Sequence, residues 1–174
     1  MRLPNSRLQG TSSTTLIRDV RQLENRMSTK CDILVGNVGG EHVQISLLSR
    51  SHPGHDDYWD GNWIASEVEL RVGAYRASFR SDFRSEDFVS FHKSVCQLSE
   101  TLRGSAKFDT IEGQLALKLI SDGLGHIRVE GTSLDVAGVG NRLNFHFDID
   151  QTYLAGIVRS LEKSINTYPV VGRP

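Results

Sequence analysis

The densest run of chemistry-bearing side chains is His52-Pro53-Gly54-His55-Asp56-Asp57-Tyr58-Trp59-Asp60. Its imidazoles and carboxylates are the donor types that hold zinc or another divalent cation. The spacing HxxHDD forms no closed ligand set, and neighbouring ligands on one loop rarely converge. His52, His55 and Asp56 are thus weak metal candidates, and no cofactor is expected. The competing reading is a solvated loop in which Asp57 or Asp60 accepts hydrogen bonds from nearby backbone amides.

The run continues as Gly61-Asn62-Trp63, which brings both tryptophans of the chain together. Aromatic rings beside carboxylates suit recognition, because an indole offers large contact area at small entropic cost. Asp56, Asp57, Trp59, Asp60 and Asn62 are the candidate partner-binding residues. Trp63 is expected to open a strand and pack inward; Trp59 fits either a shielding or a contacting role.

Elsewhere the signals for catalysis are thin. His126 and His146 fall on polar strand positions, where Asp148 or Glu130 could orient an imidazole as a general base. No nucleophile is marked by a strained GxSxG turn, so a catalytic site is not expected. Gly138-Val139-Gly140 is half a phosphate loop, but it precedes a strand and lacks the helix N-terminus that binds phosphate.

The elements that must carry these residues follow from periodicity. Asp32-Ile33-Leu34-Val35, then Gly39-Gly40, then alternating Val43, Ile45 and Leu47 predict a hairpin. Ile64 to Val72, Gly73-Ala74 and Tyr75 to Phe79 predict a second, antiparallel by virtue of its tight turn. The period then changes to 3.6: Ser85 as cap, acidic Glu86 and Asp87, and an apolar stripe of Phe88, Phe91, Val95, Leu98 and Leu102 predict a helix that Gly104 ends. Alternation returns at Leu115–Leu119, at Ile127 and Val129 beyond the Asp122–Gly125 turn, and at Leu143–Ile149. Asp150 caps a closing helix with Leu154, Ile157, Val158, Leu161 and Ile165 on one side.

Strands, helix, strands, helix is the order of an α+β fold: an antiparallel β-sheet with two amphipathic helices packed on one face, a two-layer sandwich. The other face is left to water and to a docking partner. Residues 1–30 read as a flexible or weakly helical leader, 31–168 as a single domain and 169–174 as a tail.

At 174 residues, 38% hydrophobic and 24% charged, the chain has the make-up of one folded domain and not of a disordered one. Twenty basic against 21 acidic residues leave a net charge of -1, which argues against nucleic acid as the partner. Cys31 and Cys96 have neither CxxC spacing nor a neighbouring His pair and read as small packing residues. No secretory signal pattern and no membrane-length apolar run is present, so a cytoplasmic protein is expected.

Four segments in this order carry a family resemblance: Asp57-Tyr58-Trp59-Asp60-Gly61-Asn62-Trp63, the helix from Phe88 to Leu102, Glu112 ahead of Leu115-Ala116-Leu117, and Phe145 through Asp150 to Gln151-Thr152-Tyr153-Leu154. Across residues 31–168 the chain resembles the WapI-type immunity proteins and related small bacterial proteins. That resemblance implies a non-catalytic protein that neutralises a bacterial toxin domain by occlusion. It transfers no catalytic residues, and it makes Asp150 a helix cap and Trp59-Asp60-Gly61-Asn62 a fixed turn. The alternatives are a small metal-dependent enzyme using the His52–Asp60 loop, or a domain that self-associates, as a homodimer, through an open sheet edge.

Overall fold

The computed structural model describes residues 31–174; the expected leader lies outside them. The chain runs β1 (Cys31–Gly36), β2 (His42–Arg50), β3 (Trp63–Val72), β4 (Tyr75–Arg84), α1 (Ser85–Thr101), β5 (Ser105–Phe108), β6 (Leu115–Ser121), β7 (His126–Leu134), β8 (Arg142–Asp150), a single 3-10 turn (Gln151–Tyr153) and α2 (Leu154–Thr167). The α+β class, the antiparallel pairing and both helices are as the periodicity predicts.

What alternation did not reveal is that the strands divide into two sheets, β1-β2-β3-β4 and β5-β6-β7-β8. Strand β4 passes into α1 without an intervening residue, and the helix carries the chain away from the β4 edge before β5 begins. The short β5 then pairs with β6. Helix α1 packs beside β5, α2 lies against β1, and the two helices touch each other. The helices thus join the sheets, and a single apolar cluster takes side chains from both sheets and both helices.

The joint is aromatic. Phe83 of β4, Phe88 and Phe91 of α1 and Phe108 of β5 are fully buried, with neighbouring ring centroids 5.4–6.0 Å apart. Edge-on and tilted contacts of this kind add to the area they bury. A second link is Gln114, only 6% exposed, whose Nε2 donates to the carbonyls of Arg80 on β4 (3.1 Å) and Asp135 beyond β7 (3.4 Å).

Helix α1 begins one residue earlier than expected, with Arg84 and not Ser85 at the N-cap position. Ser85 is its first helical residue, and the carboxylate of Asp87 reaches back to accept the Arg84 N–H at 3.0 Å. Its end also departs from expectation: Leu102 is the left-handed cap (φ 49°), with its N–H bonded to the Leu98 carbonyl, and Gly104 follows two residues on, also at positive φ. Asp150 caps as expected, accepting the Thr152 N–H at 2.8 Å, though it serves the 3-10 turn that leads into α2.

One irregularity positions the loop of interest. The β2–β3 register shifts between Leu47 and Ser49, so Arg50 pairs with Ile64, whose side chain points inward. A bulge of this type re-aims every side chain beyond it. Arg50 is thereby turned from the outer face to the end of the sheet, beneath residues 51–62.

Candidate functional site

The loop between β2 and β3 is folded around two arginines. Arg84 donates from Nη1 to the Trp59 carbonyl at 2.9 Å and from Nη2 to the Tyr58 carbonyl at 2.8 Å. The same Nη2 meets Glu86 at 2.8 Å, and the guanidinium lies 5.0 Å from the Tyr58 ring and 5.4 Å from the Trp63 ring. Burial works against its charge, but the Glu86 carboxylate outweighs that and holds it above its usual value. Arg50 donates to the Gly61 carbonyl (2.7 Å), the Ser85 hydroxyl (3.0 Å) and the Pro169 carbonyl. Buried carbonyls of a loop need such donors, and guanidinium supplies several in one plane.

Asn62 completes the scaffold. Its Nδ2 donates to the carbonyls of Tyr58 and Val171, both at 2.9 Å, and its Oδ1 accepts the Val171 N–H at 2.9 Å. The segment 169–172, expected to be a simple tail, is thus stitched to the loop. Contact is close: a Cβ on Gly172 would overlap the backbone of Tyr58, and one on Gly61 would overlap the carbonyls of Asp57 and His55. Small residues are required wherever backbones approach in this way.

The side chains at the loop surface are held by the same framework. Asp57 Oδ1 accepts the N–H groups of Trp59 and Asp60, each at 2.9 Å. These bonds, the Asp60 amide first, keep its carboxyl below the usual carboxylate range. Trp59 is 67% exposed, its ring edge-on to Tyr58 at 5.3 Å. Trp63 opens β3 as expected but is only half-buried and lies outside the apolar core, whereas Trp59 stands in water.

Of the candidate contact residues, Asp56, Asp57, Trp59 and Asp60 are exposed. Asn62 is not: it is wholly buried, and its amide is spent on the Tyr58 and Val171 backbone. It sets the loop shape from inside and offers no surface. A buried Asn and an exposed one look alike in sequence, since the turn chemistry suits both.

The metal candidates are regrouped. His55, Asp57 and Asp60 offer ligand atoms within 4.8 Å of one another, all exposed, while His52 and Asp56 stand outside this group. Asp57 Oδ2 lies 3.3 Å from His55 Nδ1, and Asp57 Oδ1 already serves two amides. This is the turn chemistry expected of Asp57 and needs no ion.

The paired imidazoles do not meet. His126 lies opposite Asp150 and His146 opposite Glu130, four positions apart on adjoining strands. The Gly138–Gly140 segment is a turn closed by Asp135, which accepts the Asn141 N–H at 2.7 Å. Cys31 is buried, its Sγ 3.2 Å from the Ser164 hydroxyl, and Cys96 is half-buried; both are free thiols.

Three features went unseen in the sequence: Arg50, Arg84 and Gln114. Arginines on strands read as solvent-facing, and only the bulge and the end of β4 turn these two inward.

Two sheets bridged by helices, with a rigid aromatic loop at one end, define a layered α+β domain. The Immunity protein WapI-like family model matches residues 33–169, so the chain belongs to that family. No curated protein matches it significantly. Among the described residues no helix is long and apolar enough to cross a membrane.

Proposed function

We propose that this protein binds the toxic domain of a bacterial toxin in the cytoplasm and neutralises it by covering its active site. The loop of Asp56, Asp57, Trp59 and Asp60 makes the central contact, and Asn62 supports it from behind. Membership of the immunity family supports the toxin partner in general terms. The observation that carries the choice of surface is Trp59, an indole 67% exposed on a loop whose backbone is fixed from beneath. A large ring on a backbone with little conformational freedom left to lose is what makes a binding hot spot. Steric occlusion asks for no reacting group, and the Asp57 carboxylate of the loop is already engaged by the Trp59 and Asp60 amides.

The test is co-expression with candidate bacterial toxin domains, beginning with any encoded beside this gene. The wild-type chain should restore growth, and Trp59→Ala, folded and equally abundant, should fail to. Full protection by Trp59→Ala would remove the loop from the interface.

A further inference from the structure

Next to the loop lies a cleft of about 320 Å³ that draws its walls from both sheets. Ser51, His52, Trp63 and Asp82 line it from the β1–β4 side, and Glu112 and Gln114 from the β5–β8 side. Asp82 accepts the Ser51 hydroxyl, whereas Glu112 is exposed and makes no hydrogen bond or ion pair among the described residues. No lysine or arginine lines the cleft.

Its inner wall holds a third acceptor. Gln114 is 6% exposed, and both its carbonyl contacts, to Arg80 and Asp135, are made through Nε2. That fixes the amide orientation and leaves Oε1 accepting nothing from the described residues, as the acceptor Gln114 has to offer the cleft it lines. That oxygen is not fully enclosed, so water or a ligand N–H can reach it.

Two carboxylates, an amide oxygen and an indole form a site for an organic cation. The oxygens accept from its N–H groups, and the Trp63 ring stacks on its flat or aliphatic part. Arg84 already lies against this indole, but its charge is balanced by Glu86. We propose that the cleft receives an arginine or lysine side chain of the partner protein, beside the place where Trp59 docks. This rests on the immunity reading only for which protein carries the cation; the chemistry of the cleft stands apart from it.

The test uses Trp59→Phe as background, in which Trp63 supplies the sole indole N–H signal. Titration with N-acetyl-arginine amide should shift that signal saturably, and neutral N-acetyl-norleucine amide should not. Glu112→Gln should weaken the arginine probe about three- to fivefold, as loss of one exposed ion pair does. An absent or unsaturable shift, an equal response to the neutral probe, or an unchanged affinity in Glu112→Gln would overturn the proposal. Zinc or calcium displacing the arginine probe would also overturn it, in favour of a metal site. The two readings fail separately. Toxin neutralisation without probe binding removes the cleft proposal alone, and probe binding without neutralisation removes the immunity reading alone.

Discussion

Two surfaces of this protein offered themselves for docking, and they are built in opposite ways. The loop of residues 51–62 has its polar backbone tied inward by Arg50, Asn62 and Arg84, so the side chains it shows to water sit on fixed mounts. The outer face of the β5–β8 sheet is a concavity of about 580 Å³ lined by Lys107, Lys118, Arg128, Glu130 and His146, whose side chains make no hydrogen bond or ion pair to another described residue. Lysines 107 and 118 even stand directly opposite each other, and Lys118 faces Glu130 without pairing. Long side chains left free must be ordered at the moment of binding, which costs affinity. The larger hollow is therefore the poorer anchor. Shape alone does not rank docking surfaces; preorganisation does.

The comparison is broken most severely by removing the mount. Asn62→Ala strands the Val171 carbonyl and N–H and leaves the Tyr58 carbonyl to Arg84 alone, and should cost about 3 kcal/mol of stability by urea unfolding. An effect below about 1 kcal/mol would mean that the loop is not held by this amide. Trp59→Ala tests what the mount carries. It should leave stability within about 0.5 kcal/mol and weaken toxin binding by at least about 2 kcal/mol, near thirtyfold, in calorimetric titration. Lys118→Ala and Glu130→Ala on the open sheet face should each change that affinity by less than about threefold. A larger loss there than at Trp59 would reverse the ranking.

The smallest effect concerns pH. Burial pushes the Asp87 carboxyl up to about 6, against the Arg84 N–H that favours its charged form. Between about pH 4 and pH 6 the folded chain thus keeps a proton that the unfolded chain has released. Stability from this group falls as pH rises through that window and is level above it. Asp87→Asn retains an acceptor for Arg84 and should lose the slope. The difference between the wild-type and Asp87→Asn urea midpoints, read at pH 4.5 and pH 7.5, isolates it from the exposed aspartates whose shifts run the other way. No difference between the two pH values would contradict the burial of this carboxyl.

How much of this was legible in the sequence depends on whether the signal was local. Alternation at Val43-Ile45-Leu47 and at Phe145-Phe147-Ile149, and the stripe from Phe88 to Leu98, reproduce the burial closely because each side chain's face is set by its own strand or helix. Partition into two sheets is not local: β5 is only Ser105–Phe108, too short to alternate visibly, and its partner choice depends on where α1 delivers it. The Asp57 turn could be read from its Asp-x-x-Asp-Gly neighbourhood. The buried role of Asn62 could not, because Val171 lies 109 residues away. Arg50 and Arg84 likewise gained their roles from a bulge and a strand end.

The most direct measurement is amide hydrogen exchange on the protein alone and bound to the toxin domain proposed as its partner. Slow exchange at Asp60, Gly61 and Trp63 in the free chain, with added protection on binding centred on residues 56–60, is the predicted result. Fast exchange across the free loop, or new protection confined to Lys107–Phe108 and Arg128–Thr132, would show that the partner selects the open sheet and that the rigid indole mount is incidental.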